Sequence, residues 1–233
     1  MVKLRVVRSR GEVFDPRFFE RDPRFWPIAP AAEVFAECTD WPEPESYVRA
    51  FRGRPAPVTF VSTPPKTRRR REPPVLDLDA MYDARIVRGT VPTRPRCWHD
   101  FMNALVWATF PRSKQTLHAR QNELIRAWIP AGATQLPNAR TRAQDALALV
   151  DEGGVLLLSA GGEDPLAVPF GHALFEGIVF QTPAMIARGM PLVVDRLPSR
   201  EAAVAIADAL LAERLLAPMI PEELPRFPFS ATT

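Results

Sequence analysis

Residues 93–118 read TRPRCWHDFMNALVWATFPRSKQTLH, and the rest of the chain is organised around them. Trp98, Phe101, Met102, Leu105, Val106 and Phe110 fall at helical spacing and predict one buried face. Pro95 suits the first turn of this helix, and Pro111 closes it. His99, Asp100 and Asn103 lie off the apolar stripe. Positions 99 and 103 are four apart and 100 and 103 three apart, so the three polar side chains are expected to form one patch. A second helix is predicted from about Arg112 to Trp128, with Leu117, Leu124, Ile125 and Trp128 buried. Lys114, His118 and Asn122 recur every four residues on its other face. Packed as an antiparallel pair across the Pro111 corner, the two helices would bring Lys114 and His118 towards the patch.

Working outward, the N-terminal third is rich in proline: fourteen of the twenty-six prolines precede Trp98. Short helices over Ala31–Cys38 and Glu45–Phe51, joined by extended segments, are the expectation there. Val58–Ser62 reads as a strand. Leu78–Val87 reads as a helix with Met81, Tyr82 and Ile86 inward, ended by Gly89. Downstream, ALALV (146–150) and VLLLS (155–159) are two apolar runs separated by Asp151-Glu152-Gly153-Gly154. That pattern predicts a β-hairpin with the acidic pair at its tip. Phe170–Ile178 can be helical, with His172 and Glu176 four apart on one face. Pro191–Val194 reads as a short strand. Ser199 is a good N-cap for a helix through Leu216, and the proline-rich tail from Pro218 is expected to wrap the surface. The sum is a helix-rich α+β single domain with a small antiparallel sheet containing the 146–159 hairpin. A proline-rich segment (1–80) packs on a core domain (81–217), and a tail (218–233) follows.

Composition bounds the function classes. A chain of 233 residues with 46% hydrophobic and 24% charged residues reads as soluble and globular. No stretch approaches the length of a membrane span, and Arg5, Arg8 and Arg10 interrupt any signal-like start. Two cysteines, Cys38 and Cys97, give no disulfide framework, so a reducing bacterial-type cytoplasm is the expected compartment. The net charge of +3 is unevenly placed: the basic excess is N-terminal and peaks at KTRRRR. Lys66, Arg68, Arg69, Arg70 and Arg71 could meet nucleic acid or an acidic surface. No RNP, zinc-knuckle or helix-turn-helix pattern accompanies them, which favours a solvated loop.

Several motifs resemble a known family. YDARIVRGTVPTR, WHDFMNALVWATFPRSK, RTRAQDALALVDEGG and FGHALFE are similar to the bacterial family called domain of unknown function 3025, over roughly Met81 to Glu176. The resemblance implies a single domain to which the family name gives no reaction. It directs attention to His99, Asp100, Asn103, Trp107, Pro111, Lys114, Arg142, Asp145, Asp151, Glu152, Gly171, His172 and Glu176.

The chemistry these residues allow is of two kinds. His99, Asp100, Asp151, Glu152, His172 and Glu176 offer imidazole and carboxylate ligands for one or two divalent metals, with a water made nucleophilic. The second kind is acid–base catalysis by His99 with a carboxylate, with Asn103 and Lys114 completing a polar pocket around His99 and Asp100. Against both stands a purely structural use: His99 and Asn103 tie helix ends, Asp151 and Glu152 decorate a turn, and Lys114 makes a salt bridge. No H-E-x-x-H, C-x-x-C, G-x-S-x-G or phosphate-loop spacing is present. The function expected is a hydrolase using acid–base or metal-assisted chemistry. The alternative is a non-catalytic protein that binds nucleic acid or an acidic partner through its basic loop.

Overall fold

The computed structural model describes residues 13–63 and 75–230. The N-terminal prolines break continuous α-helical bonding, and the chain there forms short 3-10 turns, the longest Pro44–Phe51, around one brief helix α1 (Ala29–Ala32). Strand β1 (Thr59–Ser62), helix α2 (Tyr82–Val87) and strand β2 (Thr90–Thr93) follow. Gly89 turns the chain between α2 and β2 at φ +84°, a conformation that glycine adopts without penalty. β1 and β2 pair in parallel, Thr59 opposite Thr90.

Helices α3 (Trp98–Thr109) and α4 (Pro111–Trp128) come next, joined only by Phe110. Ala104 to Ala108 are all buried, so α3 is enclosed on every side and forms the axis of the core. Phe14, Phe18, Phe35, Trp41 and Tyr47 from the N-terminal segment lie against its Trp98 and Phe101 in edge-on and stacked contacts. The proline-rich third thus joins the same core as the rest. Phe110, the residue before α4, offers no side-chain cap. Instead the Asp208 carboxylate accepts the backbone N–H groups of Arg112 (3.2 Å) and Ser113 (2.8 Å), satisfying the donors exposed at that helix start.

The second half runs α5 (Arg142–Gly153), β3 (Gly154–Ser159), β4 (Leu166–Pro169), α6 (His172–Val179), β5 (Ile186–Val193), α7 (Arg200–Arg214) and β6 (Arg226–Pro228). The sheet order is β4-β3-β5-β6, with β3 and β5 parallel and the outer pairs antiparallel. The helix-rich α+β reading of the sequence holds, with the sheet mixed and not purely antiparallel.

The hairpin expected at 146–159 does not form. Ala146–Val150 lies within α5, because Thr141 and Gln144 make a reciprocal capping box that starts a helix at Arg142. Ala146, Leu147 and Val150 then fall on one buried helical face. The antiparallel partner of β3 is β4, so Asp151 and Glu152 occupy the last turn of a helix. Three further expectations change. Tyr82 is 43% exposed and Trp128 48% exposed, although both were expected inward. The C-terminal tail supplies edge strand β6 and buries Met219, Leu224 and Phe229 instead of only wrapping the surface. The basic run Lys66, Arg68, Arg69, Arg70 and Arg71 lies outside the described residues. Among the described residues no helix is long and apolar enough to cross a membrane.

Candidate metal centre

The β3–β4 pairing builds the site. Val155 stands opposite Pro169, so the residues just before one strand and just after the other are forced together. Those residues are Glu152 at the end of α5 and His172 at the start of α6. Phe170 and Gly171 both donate their N–H to the carbonyl of Gly154, at 3.0 and 2.8 Å, closing the junction. Gly171 has an ordinary φ of −61°. Its lack of a side chain matters for space: a Cβ there would stand 2.5 Å from the Glu152 carbonyl oxygen and 2.6 Å from its carbon. The close approach that brings Glu152 to His172 therefore requires glycine.

Helix α6 packs along α3, and its one-turn spacing aims both His172 and Glu176 at His99. His99 Nδ1 lies 2.9 Å from the Glu176 carboxylate, and His99 Nε2 lies 3.0 Å from His172 Nε2. Glu152 Oε2 is 3.5 Å from His172 Nε2 and 4.0 Å from His99 Nε2. The nearest point equidistant from these three atoms, in their own plane, lies about 2.1 Å from each, so an ion at or just above that plane would stand at about the length of a zinc–nitrogen or zinc–oxygen bond. His172 is buried, His99 half-buried, and the Glu152 side chain 52% exposed, so the triangle opens to solvent on the Glu152 side.

Behind the triangle, Lys114 is fully buried and forms an ion pair with Asp151, whose carboxylate lies 3.8 Å from His172 Nδ1. Burial opposes the charge on Asp151, but Lys114, His172 and His118 outweigh it and hold the carboxyl well below the usual range. Burial dominates at His172, aided by Lys114 and His99 and opposed by Asp151, and holds the imidazole at about 3. The neutral ring that results is the form that ligates metals. At His99, burial is outweighed by the Glu176 hydrogen bond and the Glu152 charge, so this ring titrates above its ordinary value. Burial raises Glu152.

The residues singled out in the sequence separate into three groups. His99, Glu152, His172 and Glu176 converge, with Asp151 and Lys114 directly behind them. Asp100 turns away and accepts the backbone N–H (2.6 Å) and Nε–H (3.0 Å) of Arg94. Asn103 also leaves the patch, donating to the Tyr82 hydroxyl at 3.4 Å. Asp83, which holds His118 Nδ1 at 2.8 Å, and Arg94 were not singled out. Nothing in their local sequence marks them, because their partners are supplied by separate elements or by a turn six residues away.

No curated protein and no solved structure matches the chain. The resemblance drawn from the motifs is borne out over α2 to α5: residues 73–164 match the family described as Protein of unknown function (DUF3025).

Proposed function

We propose that His99, His172 and Glu152 hold a divalent cation, and that the protein is a hydrolase working at that centre. The observation that carries the reading is the triangle itself: three ligand atoms of suitable type lie 3.0, 3.5 and 4.0 Å from one another, a spacing that one cation can span. Two histidines and one carboxylate with an open side match the donor set of catalytic, not structural, zinc sites. The Glu176 carboxylate holds the proton on His99 Nδ1, which fixes the ring with its Nε2 lone pair towards the centre. Asp151, neutralised by Lys114, backs His172 on its Nδ1 side. A cation so held supplies Lewis-acid activation of water at neutral pH. The exposed Glu152 side leaves the approach for a substrate.

The test is hydrolysis of a chromogenic ester or anilide by purified protein, before and after chelation. The reading expects a rate that chelator abolishes, that zinc restores, and that His172→Ala lacks. A rate indifferent to chelator but lost in His99→Ala would transfer the chemistry to His99 acting as an acid–base group. A rate indifferent to both would remove the hydrolytic reading.

A further inference from the structure

Across the sheet from the metal centre, the β5–β6 edge carries three arginines around one carboxylate. The strand order β4-β3-β5-β6 sets the two places apart: the centre belongs to the β3–β4 junction, and the arginines to the opposite pair. Arg188 of β5 stands directly opposite Arg226 of β6. Directly opposed residues have Cβ atoms about 4.5–5.5 Å apart on one sheet face, so the two side chains leave the sheet on the same side. The Arg188 guanidinium reaches the end of the 3-10 turn Pro221–Glu223, where Nη1 donates to the Leu224 carbonyl at 3.4 Å. Arg142, the first residue of α5, forms an ion pair with Glu222 of that turn. The Glu222 charge reaches Arg188 as well.

The charges of this edge are unbalanced. Like charges directly opposite each other on neighbouring strands are destabilising. Arg142 occupies the start of a helix, the end at which the aligned peptide dipoles disfavour a cation. Burial and the Arg226 charge both oppose the charge on Arg188, and Glu222 supports it. Glu222 is itself held below the ordinary carboxylate range, first by its hydrogen bond from Arg142. Among the described residues Arg226 has no ion pair of its own. One carboxylate therefore serves three guanidiniums, and a bound anion would relieve each of these repulsions.

We propose that Arg142, Arg188 and Arg226 bind a polyphosphate chain, free or carried by a nucleotide. Three positive charges against one negative call for a ligand with several closely spaced negative charges, which a lone carboxylate does not supply. A phosphate chain carries at least one charge on each phosphoryl group, and its oxygens match the paired N–H donors of guanidinium. The site lies two strands away from the triangle and does not rest on the hydrolase reading.

The test is a calorimetric titration of the whole chain, freed of metal by chelation and dialysis, with tripolyphosphate and in a parallel arm with adenosine triphosphate. Removing metal beforehand keeps the phosphates from acting at the triangle. Sodium sulfate at the same ionic strength controls for general attraction of anions. The expected result is saturable binding in at least one arm and none with sulfate. Tighter binding of adenosine triphosphate assigns a nucleotide-borne chain, and equal or weaker binding assigns the free one. Arg226→Gln, a substitution at an exposed position, should weaken the affinity about fivefold, the worth of one exposed ionic contact. Glu222→Gln should act in the opposite sense and strengthen it about threefold, because it removes the competing carboxylate. Absence of binding in both arms overturns the proposal, as does an equal response to sulfate. Binding that both variants leave unaltered belongs to another basic stretch of the chain and overturns it as well.

Discussion

His99 and His172 face each other with their Nε2 atoms 3.0 Å apart, a distance that requires one shared proton or one shared cation between two lone pairs. Glu176 decides which way the His99 ring presents itself, because it occupies Nδ1 at 2.9 Å. Glu176→Gln keeps the shape but loses the charge that favours the Nδ1–H form. Supporting groups of this kind are worth roughly 10 to 100-fold in metal affinity. Zinc affinity measured by competition with a chromophoric chelator should fall by about that factor in Glu176→Gln, and an unchanged affinity would show that Glu176 does not support the ring.

Gly171→Ala inserts a methyl group into backbone that already fills the space. The Glu152 carbonyl cannot retreat without pulling on α5, so the variant should lose about 1–3 kcal/mol of stability in urea unfolding, the usual cost of overpacking. Because the displaced residue is itself one corner of the triangle, zinc affinity should fall as well. Gly161→Ala, at a position where an added Cβ meets only open space, provides the control and should change neither.

The pair Lys114–Asp151 is held inside the protein at the back of the site. Lys114→Met leaves a carboxylate buried without its cation, and loss of one member of such a pair costs about 3–5 kcal/mol. Lys114→Met combined with Asp151→Leu removes both charges and should recover most of that loss. Equal destabilisation in single and double variants would mean that shape and not charge sets the cost.

Asp22 and Asp151 are both held below their ordinary value of 3.8, Asp22 first by its hydrogen bond from Arg24 and Asp151 by Lys114 and the neighbouring histidines against the opposing effect of burial. In both the unfolded chain takes up protons at a higher pH than the folded one. Their contribution is therefore complete above pH 3.8 and lost as pH falls through the lower folded values. Unfolding free energy of the chelator-treated protein should drop between about pH 4 and pH 2, and Asp22→Asn should flatten part of that slope. The same slope in wild type and variant would exclude Asp22 from it.

The axis of the fold was legible in the sequence because α3 and α4 carry their own signals: apolar residues at helical spacing and a proline at the corner. The α6 pairing of His172 with Glu176 was legible for the same reason. The run Ala146–Val150 misled because a short apolar stretch fits a strand or a helix equally, and Thr141–Gln144, which starts the helix, lies several residues upstream. Asp100 and Asn103 share a helix surface with His99, yet spacing within one helix says nothing about which neighbour claims each side chain. Arg94 and Tyr82 claim them here. The meeting of Glu152 with His172 depends on the β3–β4 register, which exists only in three dimensions.

The central claim is most directly tested by metal stoichiometry. Protein purified without a histidine tag, dialysed to equilibrium against buffered zinc and analysed for metal, should hold one zinc per chain, and His99→Ala and His172→Ala should each hold none while remaining folded by circular dichroism. Wild-type protein free of zinc at equilibrium, or variants that retain it, would contradict the assignment of these three side chains as a metal centre.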